Sequence, residues 1–523
     1  MSATLLLIVF IVYTAMLFGI AWLTSRNADQ KAFYIGGRKS NWLLVAYGYI
    51  GASLTGVTFM SVPGAVSKQN FYYLPLVFGF VFGYSVIAYV LIPLYYRLNL
   101  TSIYTYLEIR FGACSYKTGA SFFIVSRILG AAIRTCVVIM VLHVFVLGKL
   151  GVPLWLVALI FILFAILYTY QGGVKTIVWT DSFQTTFMLL AAIVTIVVIA
   201  SKLDLSFFQL LGQAREDGYT RFFDGNWESK TNFFKQFIAG VFVPIAMTGL
   251  DQGMMQKSLS CQNRKESQKN IMLTIALIVI VNMMFLMLGV FLAIFCTTNE
   301  ILINGFPINH PDFAIKDADR IFPTVAFDHL GPFVGICFFI GLISAAYPSC
   351  ANALTSLTTS TCIDLIGLEK KTGWNDNRKK RVRIFVQCII TLLFLGIILA
   401  VNVLKNDALI NIVYVVASYT YGPLLALYMF GLFTRRKVFD LCVPFICVAS
   451  PLICFVLEYN NVIGQVISRF QPNSVEPVKF SFGFALLLVN AALTWLGLFC
   501  CSRLPHSINM SHHKQGEISW RKK

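Results

Sequence analysis

Charge is the scarcest feature of this chain. Asp, Glu, Lys and Arg make up 12% of its 523 residues, where a soluble domain carries about 25%. The shortage falls on the acids, with 23 Asp and Glu against 41 Lys and Arg and a formal net charge of +18. No stretch reads as a soluble domain large enough to bury a core of its own. The catalytic vocabulary is thin as well. The six histidines are scattered or lie in loops and tails, and neither a Ser/His/Asp set nor a Walker loop occurs. The GGVK of Gly172–Lys175 is too short to cradle phosphates. The thirteen cysteines show no CxxC or Cys/His spacing, which excludes a thiolate metal centre and leaves them as small apolar residues. These absences argue against an enzyme.

What remains is apolar: 58% hydrophobic residues, gathered in repeated runs of span length. Runs of roughly 20 apolar residues mark transmembrane helices, so the class is an all-α polytopic membrane protein. Thirteen candidate spans lie near 4–24, 43–65, 71–96, 118–147, 152–171, 176–200, 236–257, 271–296, 329–365, 384–404, 408–433, 438–458 and 478–501. The first run, Leu5–Leu23, exceeds a signal h-region and lacks a basic n-region, so it counts as a span. Most Lys and Arg fall in alternate loops, such as 25–42, 97–117, 257–269 and 370–383. That asymmetry predicts an outside N-terminus and a cytoplasmic C-terminus. It is a topology signal and not a nucleic-acid footprint. Residues 1–503 form one transmembrane domain and 504–523 a basic cytoplasmic tail. The longest outside stretches, 201–235 and 297–328, read as short surface helices, lids or plain connectors.

Val45–Gly64, VAYGYIGASLTGVTFMSVPG, carries Gly48, Gly51, Gly56, Pro63 and Gly64 among Ser53, Thr55 and Thr58. Glycine and proline weaken a helix, and in hydrocarbon each freed backbone group must be bound by something. A broken membrane helix is therefore expected to line a cavity or hold an ion, with close packing through small residues as the competing account. Asp251 and Gln252 mark a second break, where Pro244 and Gly249 interrupt the run beside Thr248. It comes five spans after the first, as in an inverted repeat.

Ionisable residues inside a membrane are expensive and mark functional sites by default. Arg134, mid-span, needs a carboxylate, backbone carbonyls or an anionic ligand; a fixed ion pair with Asp181 or Asp251 competes. Arg127, two turns nearer the cytoplasm, reads as a snorkelling or loop-pairing residue. Asp181 either caps or pairs with Lys175 or contributes to a cation site. Between Ser344 and Leu365, Ser349, Asn352, Thr355, Ser356 and Thr359 recur at helical spacing. Such oxygens suit a small dehydrated cation, and interhelical hydrogen bonds would use them equally.

Six motifs in this order resemble the sodium/solute symporters, the family of sodium–glucose, sodium–proline and sodium–sialic acid transporters. They are FYIGGRKSNW, TSIYTYLEIRFG, YQGGVKTIVWTDSFQ, DQGMMQKSLS, SAAYPSCANALTSLTTS and YGPLLALYMFGLFTRR. The resemblance covers roughly residues 4–440. It implies a LeuT-type fold of two inverted five-helix repeats, about 43–200 and 236–433, with one helix before them and two after. It also implies Na⁺ as the coupling ion, held at Gly51, Leu54, Ala345 and Ser349, with Asp181 at a second cation position. Many members have Ser-Ser where this chain has Pro348-Ser349, so one hydroxyl is missing, and Thr355 or Ser356 are candidates to replace it.

The resulting expectation is a sodium-coupled symporter importing a small organic solute in a cell membrane, its partners being that solute and the lipid bilayer. The solute is expected between the broken helices beside Ser53, Thr58, Arg134, Thr248, Asp251 and Gln252. Arg134 favours a sialic-acid-like sugar acid or an organic acid. The Asp251–Lys257 pattern resembles that of sugar transporters and keeps a neutral sugar or polyol open, and Pro348 keeps proton coupling open.

Overall fold

The computed structural model describes residues 3–25, 40–100, 102–169, 173–368, 373–404, 409–461 and 482–503, with Lys371 and Gln465 besides. Nearly all of it is helix. In chain order these are α1 (Ala3–Ser25), α2 (Trp42–Ser53), α3 (Gly56–Gln69), α4 (Leu74–Arg97), α5 (Ala113–Leu150), α6 (Leu154–Thr169) and α7 (Gly173–Lys202). There follow α8 (Phe233–Gly249), α9 (Gln252–Leu259), α10 (Arg264–Thr298), α11 (Pro332–Leu365), α12 (Asp376–Leu404), α13 (Leu409–Phe433), α14 (Val443–Tyr459) and α15 (Leu486–Cys500). Among the described residues 10 helices are long and apolar enough to cross a membrane, or 12 if two bent pairs each count as one. The expected span 152–171 corresponds to α6, whose apolar stretch is only Leu154–Leu167. The Lys175 side chain, most of FYIGGRKSNW and the tail 504–523 lie outside the described residues.

Both expected breaks are present. α2 and α3 meet at 58° across Leu54 and Thr55, and α8 and α9 at 73° across Leu250 and Asp251. Chemistry at each break explains it. Neither Leu54 nor Thr55 has helical dihedrals. In α8 the chain widens into a π-turn at Ile245–Gly249 directly after Pro244, and Asp251 restarts the helix by capping Met254 N at 2.9 Å.

Close helix crossings rest on small residues. A Cβ on Gly51 would collide with Thr185 Oγ1, so α2 lies directly on α7. α4 and α8 cross at Gly79 and Gly240, whose faces meet backbone of the other helix. Where Pro423 interrupts α13, the Tyr419 carbonyl it frees accepts from Asn490 Nδ2 of α15 at 2.9 Å. The outer surface is apolar: Ile8, Trp22, Phe82, Tyr89, Leu392 and Phe445 are exposed where lipid would meet them.

Of the two long polar stretches, 201–235 contains one short helix, Phe207–Glu216, closed by a Ser206/Gln209 capping box. Within 297–328 a two-residue hairpin, Leu302–Ile303 with Phe306–Pro307, precedes a turn of 3-10 helix, Ile315–Arg320, that packs on α3.

Candidate functional site

The two breaks face each other across one cavity. Ser53, Leu54, Thr55 and Thr58 line it from the first break, and Met247, Thr248 and Met254 from the second. α4 contributes Tyr84, α5 contributes Arg127 and Arg134, and Tyr73 and Tyr414 stand at its edge. The Tyr84 hydroxyl reaches Thr248 Oγ1 at 3.4 Å and Ser53 Oγ at 3.5 Å, spanning the two broken helices. Tyr73 and Tyr414 hydrogen-bond at 3.0 Å. The lining is thus rich in hydroxyls and carries two guanidinium groups.

Those guanidiniums differ in their partners. Arg127 is buried and reaches Asp251 Oδ2 at 3.1 Å through Nη1. This corrects the snorkelling reading: the side chain points into the protein. Asp251 also accepts from Met254 N at 2.9 Å and from the Tyr421 hydroxyl at 3.4 Å. The other carboxylate, Asp181, takes the Lys257 ammonium in a buried ion pair and Asn352 Nδ2 at 3.2 Å. Both acids that competed for Arg134 are therefore occupied elsewhere. Among the described residues Arg134 has no carboxylate partner, and its half-buried side chain lines the cavity.

Four of the six expected solute contacts, Ser53, Thr58, Arg134 and Thr248, come together in the cavity wall. Asp251 and Gln252 stand outside that lining. Asp251 is committed to Arg127 and its helix cap, and Gln252 Oε1 accepts from Ile103 N at 2.9 Å.

The residues expected to hold Na⁺ lie on three packed helices. Gly51 and Leu54 end α2, Ala345 and Ser349 are buried in α11, and Asp181 is buried in α7 beside both. Ser349 Oγ is buried without a hydrogen-bond partner, as a hydroxyl reserved for an ion would be. Asp181 already holds the ammonium of Lys257, so a second cation would have to displace that group. Of the two suggested replacements for the missing hydroxyl, Ser356 Oγ donates its proton to the Ala353 carbonyl at 3.1 Å and keeps its lone pairs. Sequence reasoning did not assign Lys257 or the Arg127–Asp251 pair, because nothing in spacing announces partners 76 and 124 residues apart.

Paired broken helices around a charged cavity inside an apolar helical bundle are the architecture of an integral multi-pass membrane protein. The chain belongs to the sodium:solute symporter family, whose model matches residues 33–438. That is a family of transporters, with sodium as the coupling ion, and not of enzymes. The chain is 26% identical over 371 residues to sodium-coupled monocarboxylate transporter 1 of Mus musculus, covering 68% of this chain and 58% of that one. It is 24% identical over 431 residues to the sodium/sialic acid symporter NanT of Aliivibrio fischeri, covering 80% and 81% respectively. The solved structure of a Na⁺-coupled sialic acid symporter in a substrate-bound outward-open state superposes with a TM-score of 0.74 at 19% identity, covering 95% of this chain and 97% of that one. The fold is that of this symporter.

Proposed function

We propose that the chain is a sodium-coupled symporter that imports a small solute bearing one carboxylate, its remaining surface hydroxylated. The observation that carries this is Arg134, a guanidinium lining a membrane cavity whose neighbouring acids are both engaged by other cations. A guanidinium fork matches a carboxylate with two parallel hydrogen bonds, and its desolvation is offset when an anion arrives. Ser53, Thr58, Tyr84 and Thr248 supply hydroxyls to a polar body, which favours a sugar acid over a short alkyl acid. Two of the relatives, a monocarboxylate transporter and a sialic acid symporter, are named for carboxylate-bearing solutes. The same hydroxyls support a neutral sugar or polyol as the second reading.

In this reading the N-terminus lies outside and the tail in the cytoplasm of a cell membrane, and the two halves, about 43–200 and 236–433, are inverted repeats. Outside Na⁺ enters between α2 and α11 at Gly51, Leu54, Ala345 and Ser349, and ties the first repeat to the second. Solute then seats beside Ser53, Thr58, Arg134 and Thr248. Asp251 and Gln252 act behind the wall by fixing Arg127 and the start of α9. One Na⁺ carried with one carboxylate moves no net charge, so the Na⁺ concentration gradient alone drives the carboxylate's accumulation. With a neutral solute, one charge crossing 100 mV would add about 2.3 kcal/mol, or roughly fiftyfold. The test is uptake into proteoliposomes with and without an inward Na⁺ gradient, screening sialic acid, a monocarboxylate, glucose, inositol and proline. Sodium-driven accumulation of a carboxylate supports the proposal. Accumulation of a neutral solute alone reassigns Arg134, and accumulation driven only by a pH gradient overturns sodium coupling.

A further inference from the structure

Pro348 removes a hydroxyl found in many members of the family, and it also removes an N–H. The Ser344 carbonyl, four residues back in α11, therefore lacks its usual intrahelical donor. α11 packs on α7 along a seam that includes this stretch, and the Ser344 hydroxyl itself donates to Tyr13 of α1 at 2.6 Å. Two contacts set the register of that seam. Asn352 Nδ2 donates to Asp181 Oδ2 at 3.2 Å, and the Phe187 carbonyl lies 3.5 Å from where a Cβ on Gly341 would stand. Between them the helices run antiparallel, which sets Gln184 level with residues 344–348. Gln184 is fully buried, and neither its Oε1 nor its Nε2 has a partner. Ser349 Oγ and Asn352 Oδ1 are buried without partners on the facing helix. The next residue of α7, Thr185, abuts Gly51 and brings the first broken helix to the same level.

Buried polar groups are nearly always satisfied, and a cluster of exceptions signals a ligand. We infer that Gln184 Oε1, Ser349 Oγ and the Ser344 carbonyl freed by Pro348 form an oxygen-ligand set for a monovalent cation on this seam, closed by α2 at Gly51. Neutral carbonyl and hydroxyl oxygens are what replaces the hydration shell of an alkali ion. Pro348 thus exchanges a hydroxyl ligand for a backbone carbonyl. Because Lys257 neutralises Asp181 next door, the ligand set carries no net protein charge. The inference rests on the sodium-coupled reading and adds two ligands to it.

The experiment is equilibrium binding of radiolabelled Na⁺ to the purified full-length protein without solute, for wild type, Gln184→Met and Pro348→Ala. Methionine keeps the length of Gln184 and removes its amide, and alanine returns an N–H to the Ser344 carbonyl. Both variants are expected to weaken Na⁺ binding on the order of tenfold, with the melting temperature of the ion-free protein held or raised. Should one variant fail to fold, the other decides. Na⁺ binding within about twofold of wild type in a folded variant overturns this ligand set while leaving sodium coupling intact. A wild type that binds no Na⁺ overturns both.

Discussion

Arg127 Nη1 lies 3.1 Å from Asp251 Oδ2, joining α5 to the break between α8 and α9. This one pair decides the electrostatics of the cavity. It consumes the acid at the second break, as Lys257 consumes Asp181. The cavity wall is left with the uncompensated positive charge of Arg134, seven residues further along α5 and on the same helical face.

Replacing Arg134 should separate solute recognition from ion binding. Arg134→Ala is expected to abolish uptake of an anionic solute, losing roughly 2–5 kcal/mol of affinity as a buried charge pair does when one partner is truncated. Na⁺ binding should persist. Arg134→Lys should recover only part of the loss, because an ammonium cannot present the paired donors. Solute and Na⁺ affinities measured side by side on each variant check this.

The Arg127–Asp251 pair should behave in the opposite way. Arg127→Met leaves a fully buried carboxylate with no cation, which costs about 3–5 kcal/mol of stability. The double variant Arg127→Met/Asp251→Asn keeps an acceptor for Met254 N and removes the stranded charge, so it should recover much of the melting temperature. If the double variant melts no higher than the single one, the pair is not what stabilises this junction.

Much of this fold is legible in the chain because the membrane leaves few alternatives. Glycine and proline at Gly51–Gly56 and Pro244–Gly249 signal breaks in apolar runs, and the structure bends at both places. Ser53, Thr58 and Thr248 could be placed in the cavity wall because polar groups flanking a break have a cavity as their natural outlet, and Arg134 because an ionisable group in mid-span needs one. Which charges pair is another matter. Arg127, Arg134, Lys257, Asp181 and Asp251 admit several pairings, and only the crossing of α5, α7 and α9 selects one.

The contact of α2 on α7 yields a steric prediction. Thr185 Oγ1 donates to the Asp181 carbonyl at 2.7 Å and occupies the space a Cβ on Gly51 would need. Gly51→Val should force the helices apart, at about 1–3 kcal/mol for an overpacked contact. Adding Thr185→Ala should restore part of the melting temperature. Purified yield and thermal melting of the single and double variants provide the measurement.

Outside the spans, Asp224 organises the loop that leads into α8. Partial burial alone would raise its carboxyl, but Thr231, the Asn226 amide and Ser229 donate to it and hold it below the usual carboxylate range. Its backbone carbonyl accepts from Phe233 N at 2.8 Å, tying the acid to the first turn of the helix. A carboxyl held low in the folded state contributes stability above its unfolded value, and that contribution disappears as pH falls through the folded value. Asp224→Asn should therefore destabilise the loop at neutral pH. The difference from wild type should shrink as the pH is lowered through the carboxylate range. Amide exchange at residues 224–233, compared between the two proteins across that range, checks the sign: a gap that widens on acidification would mean the carboxylate is strained, not held.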